Sequence, residues 1–314
     1  MMNADRQSDS IAPDSAASAG IRLQRLRSAL RTDGPFWRSL ARFGAIHTPR
    51  FFVQHSPPFW AAPFALLLPH MRKRIRANLR RIRGPASRSR DALDTFATIS
   101  HFASCLTEGF ALNRPRPFPL RHTTMGREHL EAALAHPSGV ILMTAHTGSW
   151  EVAGPLLKSA FGLELLVAMQ REPNVVSSAI HDEARRQTGV RIVHIGTDAL
   201  AVLPLLSHLR RGGAVGLQID RTPPGVRSIE VTLFGRPAVV PAGPFLLAQA
   251  TGSPLVAVFM RRRGFMDYVI HLHAPVWLSK RGPPNELAAA AQAAANALQD
   301  FLQDHPTDWF HFVD

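Results

Sequence analysis

The sequence predicts an α/β fold in which helices cover a mostly parallel sheet. From about residue 125, short apolar runs typical of buried strands alternate with longer segments typical of amphipathic helices. Hydrophobic residues make up 46% of the 314 residues, so wholesale disorder is excluded. The single cysteine, Cys105, excludes an intrachain disulfide framework and a cysteine-rich zinc site.

The strands and helices of this region follow one another in a regular order. Strand, helix and strand alternate over the segments 139–145, 151–160, 163–170, 175–189, 190–196, 198–213 and 214–220. Asp198 is a good N-cap for the third helix, which ends at two glycines. After a long loop, we expect a helix at 241–252, strands at 254–262 and 265–273, and an alanine-rich helix at about 285–304.

Three regions are predicted along the chain. Residues 1–20 are small and polar without periodicity, which indicates a disordered tail, and they lack the basic start and apolar run of a signal peptide. Residues 21–124 form a basic, helical, membrane-associating region. Residues 125–314 form the α/β domain that carries the chemistry.

The positive charge lies mainly in the N-terminal third. The chain has 36 basic and 23 acidic residues, and residues 1–100 alone hold 17 basic and 6 acidic ones. Arginine dominates, and its planar guanidinium binds phosphate bidentately. A polyanion is therefore the expected partner, either anionic lipid headgroups or nucleic acid. No zinc finger, RNA-recognition signature or helix-turn-helix supports nucleic acid.

The segment 51–69 is uncharged and rich in aromatic residues. Its length approaches that of a membrane-spanning helix, but four prolines, at 57, 58, 63 and 69, are expected to break it. Insertion into one leaflet, a spanning helix and a buried helical hairpin all remain open. The next helix, 71–83, places four arginines on one face, which favours an anionic membrane surface, although a solvated basic face is the plainer alternative. These four are Arg72, Arg76, Arg80 and Arg83.

The sharpest chemical pattern is MTAHTGSWE at residues 143–151. His146 follows an apolar strand directly, and Glu151 opens the next helix, so the intervening turn can fold the two side chains together. Active sites of open α/β sheets lie just beyond the carboxyl ends of strands. The pair suits acyl transfer to a hydroxyl: the imidazole removes a proton, and the carboxylate holds the other ring nitrogen. The alternative is a turn-capping histidine with a glutamate stabilised at a helix N-terminus.

The ordered set of motifs resembles the lysophospholipid acyltransferase superfamily, and most closely the bacterial lipid A late acyltransferases. AHTGSWE resembles the family's His-x4-Asp/Glu block, and RANLRRI resembles its early basic helix. REPN, ARRQTGVRIV and LQIDRTPPG resemble the blocks that follow. The segment VTLFGRPAVVPAGPFLLAQATGSPLV and the terminal HPTDWFHF complete the series.

This resemblance implies a glycerolipid-acyltransferase-type fold with a catalytic His146–Glu151 dyad. It also implies supporting, substrate-binding roles for Arg185, Asp220 and Arg171. From the residues alone, Asp220 could equally cap a turn, and either arginine could be solvated. We expect Asp220, at the end of a parallel strand, and Arg185 to share a pocket with His146.

The resemblance further implies the substrates and the location. The donor would be an acyl thioester of an acyl carrier protein or coenzyme A. The acceptor would be a hydroxyl of a lipid A precursor or a related glycolipid, at the cytoplasmic face of a bacterial inner membrane. No cofactor, metal or nucleic acid is expected. Two alternatives remain: an enzyme that acylates another lipid, such as a phosphatidylinositol mannoside, or a specialised-metabolite alcohol, and a non-catalytic basic protein that binds membranes or nucleic acid.

Overall fold

The computed structural model describes residues 35–170, 175–196, 199–280 and 282–312. The predicted tail at 1–20, the predicted N-cap Asp198 and the candidate site residue Arg171 lie outside these residues. The chain begins its described part with four helices: α1 (Pro35–His47), α2 (Arg50–Leu67), α3 (Pro69–Arg83) and α4 (Arg88–Ala111).

A mixed, mostly parallel sheet follows the four helices. Its strands within the described ranges are β1 (Arg121–Met125), β2 (Val140–Thr144), β3 (Leu165–Met169), β4 (Arg191–His194), β5 (Ala214–Gln218), β8 (Leu255–Gly264) and β9 (Asp267–Leu272). They are ordered β1-β9-β8-β2-β5-β3-β4. The five strands β8, β2, β5, β3 and β4 run parallel, whereas β9 is antiparallel to β8 and β1 is parallel to β9. The predicted domain boundary at residue 125 falls at the end of β1.

Helices cover both faces of this sheet. They are α5 (Arg127–Leu134), α6 (Trp150–Phe161), α7 (Val175–Gln187), α8 (Leu203–Arg210), α9 (Gly243–Thr251) and α10 (Pro284–Asp304). Because successive strand residues point to opposite faces, Ile141 and Met143 of β2 join one buried cluster, while Val140 and Leu142 join another. A strand buried on both sides is the reason its sequence is continuously apolar. The predicted α/β class is confirmed.

The segment predicted as a long loop after residue 220 contains an antiparallel hairpin instead. Its strands are β6 (Ser228–Leu233) and β7 (Arg236–Pro241). Val231 and Leu233 are buried with residues of α10, and the amide oxygen of Gln292 on α10 accepts a hydrogen bond from the backbone N–H of Thr232. The alternation of buried and exposed residues along β6 is the period-2 signal of a half-buried strand.

The prolines of segment 51–69 do not break its helix as expected. Helix α2 continues through Pro57, Pro58 and Pro63 and ends only before Pro69. Each internal proline removes one backbone hydrogen bond, so the helix needs stabilisation from outside itself. Apolar packing of its inner face provides this stabilisation, because Val53 and Ala61 are buried against neighbouring helices. Within the described ranges, no helix is long and apolar enough to cross a membrane.

The two faces of α2 differ sharply. Its outer face leaves large apolar side chains exposed, with Phe51, Phe59, Leu66 and Leu67 each about three-quarters accessible. Phe36 and Phe43 of α1 are also exposed. A contiguous group of exposed large apolar residues is a common mark of an interaction site.

Two arginines of α3 serve the packing of the helices rather than presenting an unpaired charge. Arg80 and Arg83 bind Asp91 of α4 at 2.8 and 2.9 Å, and Arg83 also binds Asp94 at 2.9 Å. On the opposite stripe, Ile75 and the other apolar residues of α3 are buried. Part of the predicted basic face is therefore paired with carboxylates of α4, an arrangement that neither predicted alternative, the membrane surface or the solvated face, includes.

Candidate active site

The register of the two central strands brings His146 and Asp220 together. Thr144 of β2 lies opposite Gln218 of β5 in a parallel pair. Two residues beyond each, the chain places His146 and Asp220 at the same edge of the sheet. His146 Nδ1 and Asp220 Oδ1 are 2.9 Å apart. The expectation that Asp220 shares the site of His146 is confirmed.

The carboxylate of Asp220 is fully enclosed and held by two fixed donors as well. Its Oδ2 atom accepts hydrogen bonds from the backbone N–H of His146 at 3.2 Å and from the Trp309 indole at 3.1 Å. Burial by itself raises the pKa of Asp220, but the adjacent His146 ring and its hydrogen bond, with Arg221, lower the pKa below its ordinary value. The group therefore stays ionised beside the imidazole.

Glu151 does not hold the imidazole, so the predicted pairing within the His-x4-Glu spacing is wrong. Its two carboxylate oxygens are bound by Arg185 of α7, at 2.6 Å to Nη2 and 3.0 Å to Nε. Burial raises the pKa of Glu151, but the charge and hydrogen bonds of Arg185, with His181 and His146, lower it overall. The physical reason is position: Glu151 lies in the first turn of α6 and faces α7, whereas Asp220 follows the strand next to β2.

The close packing of Glu151 depends on a glycine in α4. A Cβ atom at Gly109 would stand 3.0 Å from the Cβ of Glu151. Arg185 lines the same cavity as His146, as expected, and its guanidinium binds the Glu151 carboxylate.

The C-terminal segment closes the turn between β2 and α6. The backbone N–H of Phe310 donates to the carbonyl of His146 at 2.8 Å, and that of Gly148 donates to the carbonyl of Asp308 at 3.0 Å. Gly148 has φ +45°, and a Cβ there would lie 1.9 Å from the carbonyl oxygen of Met260. Only glycine fits this approach.

Two residues of the site, Trp309 and Arg221, have no role predicted from the spacing of the motifs. Trp309 donates a hydrogen bond to Asp220. The Arg221 side chain donates to the carbonyl of Phe310 at 2.7 Å and so ties the strand end to the C-terminal segment. The signal for Trp309 was available, because HPTDWFHF is one of the matched motifs. Spacing could not reveal it, since 89 residues separate Trp309 from Asp220.

The His146 ring lies at the wall of a large cavity. The cavity volume is about 1630 Å³, which exceeds the roughly 300–1,000 Å³ of most small-molecule sites. Apolar side chains of α1, α2 and α4 line much of it, including Trp37, Phe64 and Ile99. The ring of Trp150 lies beside His146, and the centroids of the two rings are 5.6 Å apart.

This arrangement supports general-base chemistry on an amphipathic substrate. Asp220 accepts a hydrogen bond at Nδ1, which leaves Nε2 of His146 as the basic nitrogen. In the described part of the chain, Nε2 makes no hydrogen bond, and the side chain is 16% exposed. No group of three or more His, Cys, Asp or Glu side chains with metal-ligand geometry occurs among the described residues.

Comparisons with known proteins agree with an acyl-transfer site. Residues 36–314 match the sequence model of the family described as "Bacterial lipid A biosynthesis acyltransferase". A protein of Mycobacterium tuberculosis named phosphatidylinositol mannoside acyltransferase is 29% identical over 272 residues, or 83% of this chain and 77% of that protein. A protein of the same name from Mycolicibacterium smegmatis is 26% identical, over 76% of this chain and 77% of its own length.

One solved structure is also similar. It is the 1-acyl-sn-glycerophosphate acyltransferase PlsC from Thermotoga maritima, with 13% identity and a TM-score of 0.36 over 85% of this chain and 97% of that chain. The fold class rests on the strand order described above rather than on this likeness. Because the family match spans most of the sequence, the chain belongs to the bacterial lipid A biosynthesis acyltransferase family.

Proposed function

We propose that this member of the lipid A biosynthesis acyltransferase family transfers a fatty acyl chain from a thioester to a hydroxyl of a membrane glycolipid. The observation that carries the proposal is the His146–Asp220 pair at the wall of a large, mostly apolar cavity. A buried carboxylate on Nδ1 and an unengaged Nε2 are what deprotonation of an alcohol requires.

The proposed reaction needs no nucleophile from the protein. Nε2 of His146 takes the acceptor's hydroxyl proton while the hydroxyl oxygen attacks the thioester carbonyl carbon. The resulting imidazolium is stabilised by Asp220. When the tetrahedral intermediate collapses, the carbon–sulfur bond breaks, and Nε2 returns the proton to the leaving thiolate. The products are the acylated acceptor and a free thiol.

The cavity and the relatives support the proposed substrates. The apolar lining from α1, α2 and α4 suits a fatty acyl chain. The relatives named for phosphatidylinositol mannoside favour a glycosylated lipid as acceptor, and the family description favours a lipid A precursor. The donor is proposed to be an acyl carrier protein or coenzyme A thioester.

We also propose that the exposed face of α1 and α2 lies on an anionic membrane, at the cytoplasmic face of a bacterial inner membrane. The apolar side chains of this face would enter one leaflet. Arg50, which is exposed at the start of α2, would meet anionic headgroups. This placement brings a lipid acceptor to the cavity, because Trp60 and Phe52 belong both to the exposed face and to the cavity lining.

The reaction is tested with purified protein, palmitoyl-coenzyme A or palmitoyl acyl carrier protein, and a panel of acceptors. The panel contains a phosphatidylinositol mannoside, a lipid A precursor and a long-chain alcohol. His146→Ala is expected to lower kcat by about 10²–10⁴-fold, because a general base is lost. His129→Ala on α5 is the matched control, since His129 does not line the cavity. A folded His146→Ala variant with near-normal turnover would contradict the proposal.

The membrane surface is tested by vesicle co-sedimentation. Phe51→Ser with Phe59→Ser is expected to lower binding by roughly tenfold or more, because burying one such side chain is worth about 1.5–3 kcal/mol. Met125→Ser on the edge strand β1 replaces another exposed apolar residue and serves as the control. Binding to vesicles containing phosphatidylglycerol is also expected to weaken with salt. Unchanged binding of the double variant would refute the assignment.

A further inference from the structure

One wall of the cavity carries a second histidine–carboxylate pair. His194, the last residue of β4, has its Nε2 atom 2.9 Å from Oδ2 of Asp182 on α7. Both residues line the same cavity as His146. The acyl-transfer reaction described above uses neither of them.

The second pair belongs to a series of polar contacts that begins at Glu151, in the first turn of α6. Glu151 binds Arg185, and Arg185 Nη1 lies 3.7 Å from Asp182 Oδ1. Asp182 then contacts His194, and Ser178 donates to its Oδ2 at 3.3 Å. A continuous polar strip therefore runs along one wall of a cavity whose other walls are largely apolar. A fatty acyl chain gains nothing from such a strip, whereas a polar headgroup does.

Two atoms of the strip have hydrogen-bonding capacity that no residue in the described ranges uses. Nδ1 of His194 is buried and makes no hydrogen bond in the described structure. With Nε2 directed at Asp182, Nδ1 of the neutral ring is an acceptor. Oδ1 of Asp182 has only the 3.7 Å ion pair with Arg185, and the side chain is 32% exposed. Leaving such groups unsatisfied is costly, so they are candidates for ligand contacts. The partly exposed Asp182 carboxylate can make such a contact directly, whereas Nδ1 of His194, which has almost no accessible surface, can do so only after the ring rotates towards the cavity.

The charges of the strip indicate the chemical class of the ligand. Among the described residues of the strip, two carboxylates, Glu151 and Asp182, accompany one guanidinium, Arg185, whose Nε and Nη2 atoms are bound to Glu151. His181 lies 4.0 Å from Glu151 on the same side. A phosphate would meet net negative charge here and find the arginine engaged. Neutral hydroxyl groups can donate to Asp182 Oδ1 and His194 Nδ1 without that repulsion.

We propose that Asp182 and His194 bind hydroxyl groups of an uncharged sugar or polyol on the acceptor. This inference rests on the proposed function, because it concerns the acceptor of the same acyl transfer. The strip orients the headgroup so that one hydroxyl reaches Nε2 of His146, while any phosphate of the acceptor lies elsewhere.

The test compares two soluble probes, octyl α-mannopyranoside and octanol, which share the alkyl chain and differ in the sugar. Calorimetry measures the binding of each probe, and acyl transfer from palmitoyl-coenzyme A gives kcat and KM. Asp182→Asn removes the charged acceptor. His194→Gln places an amide nitrogen where Nε2 donates to Asp182 and removes the Nδ1 acceptor. Glu183→Gln is the matched control on α7, because Glu183 binds Arg186 at the surface.

Both variants are expected to weaken octyl mannoside binding, and to raise its KM, by roughly tenfold or more. Octanol binding, the KM of palmitoyl-coenzyme A and the slow hydrolysis of the thioester are expected to change less than about twofold. Equal losses for both probes would show a purely structural role and overturn the proposal. Unchanged sugar binding in both folded variants would overturn it as well.

The same experiment separates this inference from the proposed reaction. If the wild-type protein shows no acyl transfer or thioester hydrolysis, the proposed function fails. Sugar binding that is lost in both variants would still support the site, and the absence of sugar binding by the wild type would overturn it.

Discussion

Replacing Asp220 with asparagine tests the assignment of the imidazole's partner. In the wild-type site, Oδ2 of Asp220 accepts from two donors whose positions are fixed, the backbone N–H of His146 and the indole of Trp309. An asparagine must point its single oxygen at these two donors, so its NH₂ group faces Nδ1. Nδ1 must then give up its proton and accept, and the proton moves to Nε2.

In this inverted tautomer, the unprotonated nitrogen of His146 is Nδ1, whereas the proposed reaction requires an unprotonated Nε2. Nε2 then carries a hydrogen and cannot accept the acceptor's hydroxyl proton, and no carboxylate stabilises the imidazolium. Losing a hydrogen bond to a charged group alone is worth about 1.5–3 kcal/mol, or roughly 10- to 150-fold. In serine proteases the equivalent tautomer error lowers kcat by about 10⁴-fold. We therefore expect Asp220→Asn to lower kcat by about 10³–10⁴-fold, with little change in the KM of the acyl donor.

The assay measures steady-state acyl transfer with thermal unfolding on the same samples. Nitrogen NMR of a histidine-labelled sample reports the tautomer of His146 directly. Glu151→Gln is the comparison variant, because the sequence pattern alone would make it the more damaging change. From the structure, Glu151→Gln disturbs Arg185 and the position of α7, so we expect a smaller loss of kcat and a larger loss of stability than in Asp220→Asn.

The reasoning would be refuted by a folded Asp220→Asn variant with kcat within about threefold of wild type. It would also fail if NMR showed the same His146 tautomer in both proteins. If Glu151→Gln alone inverted the tautomer, the imidazole's partner in solution would be Glu151.

Two further predictions concern stability. Gly148→Ala should lower the free energy of unfolding by at least about 2 kcal/mol, because its Cβ meets the Met260 carbonyl. Gly235 is also at positive φ, but no neighbouring atom lies near an added Cβ, so Gly235→Ala should lower the free energy of unfolding less. Calorimetry that showed equal losses of unfolding free energy in the two variants would contradict this. Burial, with the nearby His305, lowers the pKa of His271 from 6.5 to about 4. Between pH 6.5 and 4, His271 is therefore protonated in the unfolded chain but neutral in the folded protein. The free energy of unfolding should fall as the pH drops through this range. His271→Gln should flatten that part of the thermal unfolding profile, and an unchanged slope would exclude the effect.

The sheet and the meeting of two candidate site residues in one pocket are predictable from the sequence because both depend on local patterns. Parallel strands end at a common edge, so apolar runs separated by helices predict that His146 and Asp220, which each follow a strand, share a pocket. Their direct contact also requires β2 and β5 to be neighbours in the sheet, and this strand order is seen only in the structure.

Other features depend on side chains that meet across the fold, and no local pattern encodes them. The pairing of Glu151 with Arg185 requires the start of α6 to lie beside α7. The pairing of Arg83 with Asp91 and Asp94 likewise requires α3 and α4 to lie side by side, which the spacing of the arginines along α3 does not indicate. The continuation of α2 through its prolines follows from tertiary packing, which outweighs helix propensity.

The structure gives the two carboxylates near His146 different physical tasks. Asp220 has no exposed surface and three hydrogen bonds, so it is held in one position and suits a partner that must not move during proton transfer. Glu151 binds the guanidinium of Arg185, whose Nη1 atom also lies 3.7 Å from Asp182. A change at Glu151 is therefore expected to disturb Arg185 and Asp182 more than the imidazole. In the proposed reaction, the His-x4-Glu spacing marks a residue that holds Arg185 in place, whereas His146 is oriented by Asp220 from the neighbouring strand.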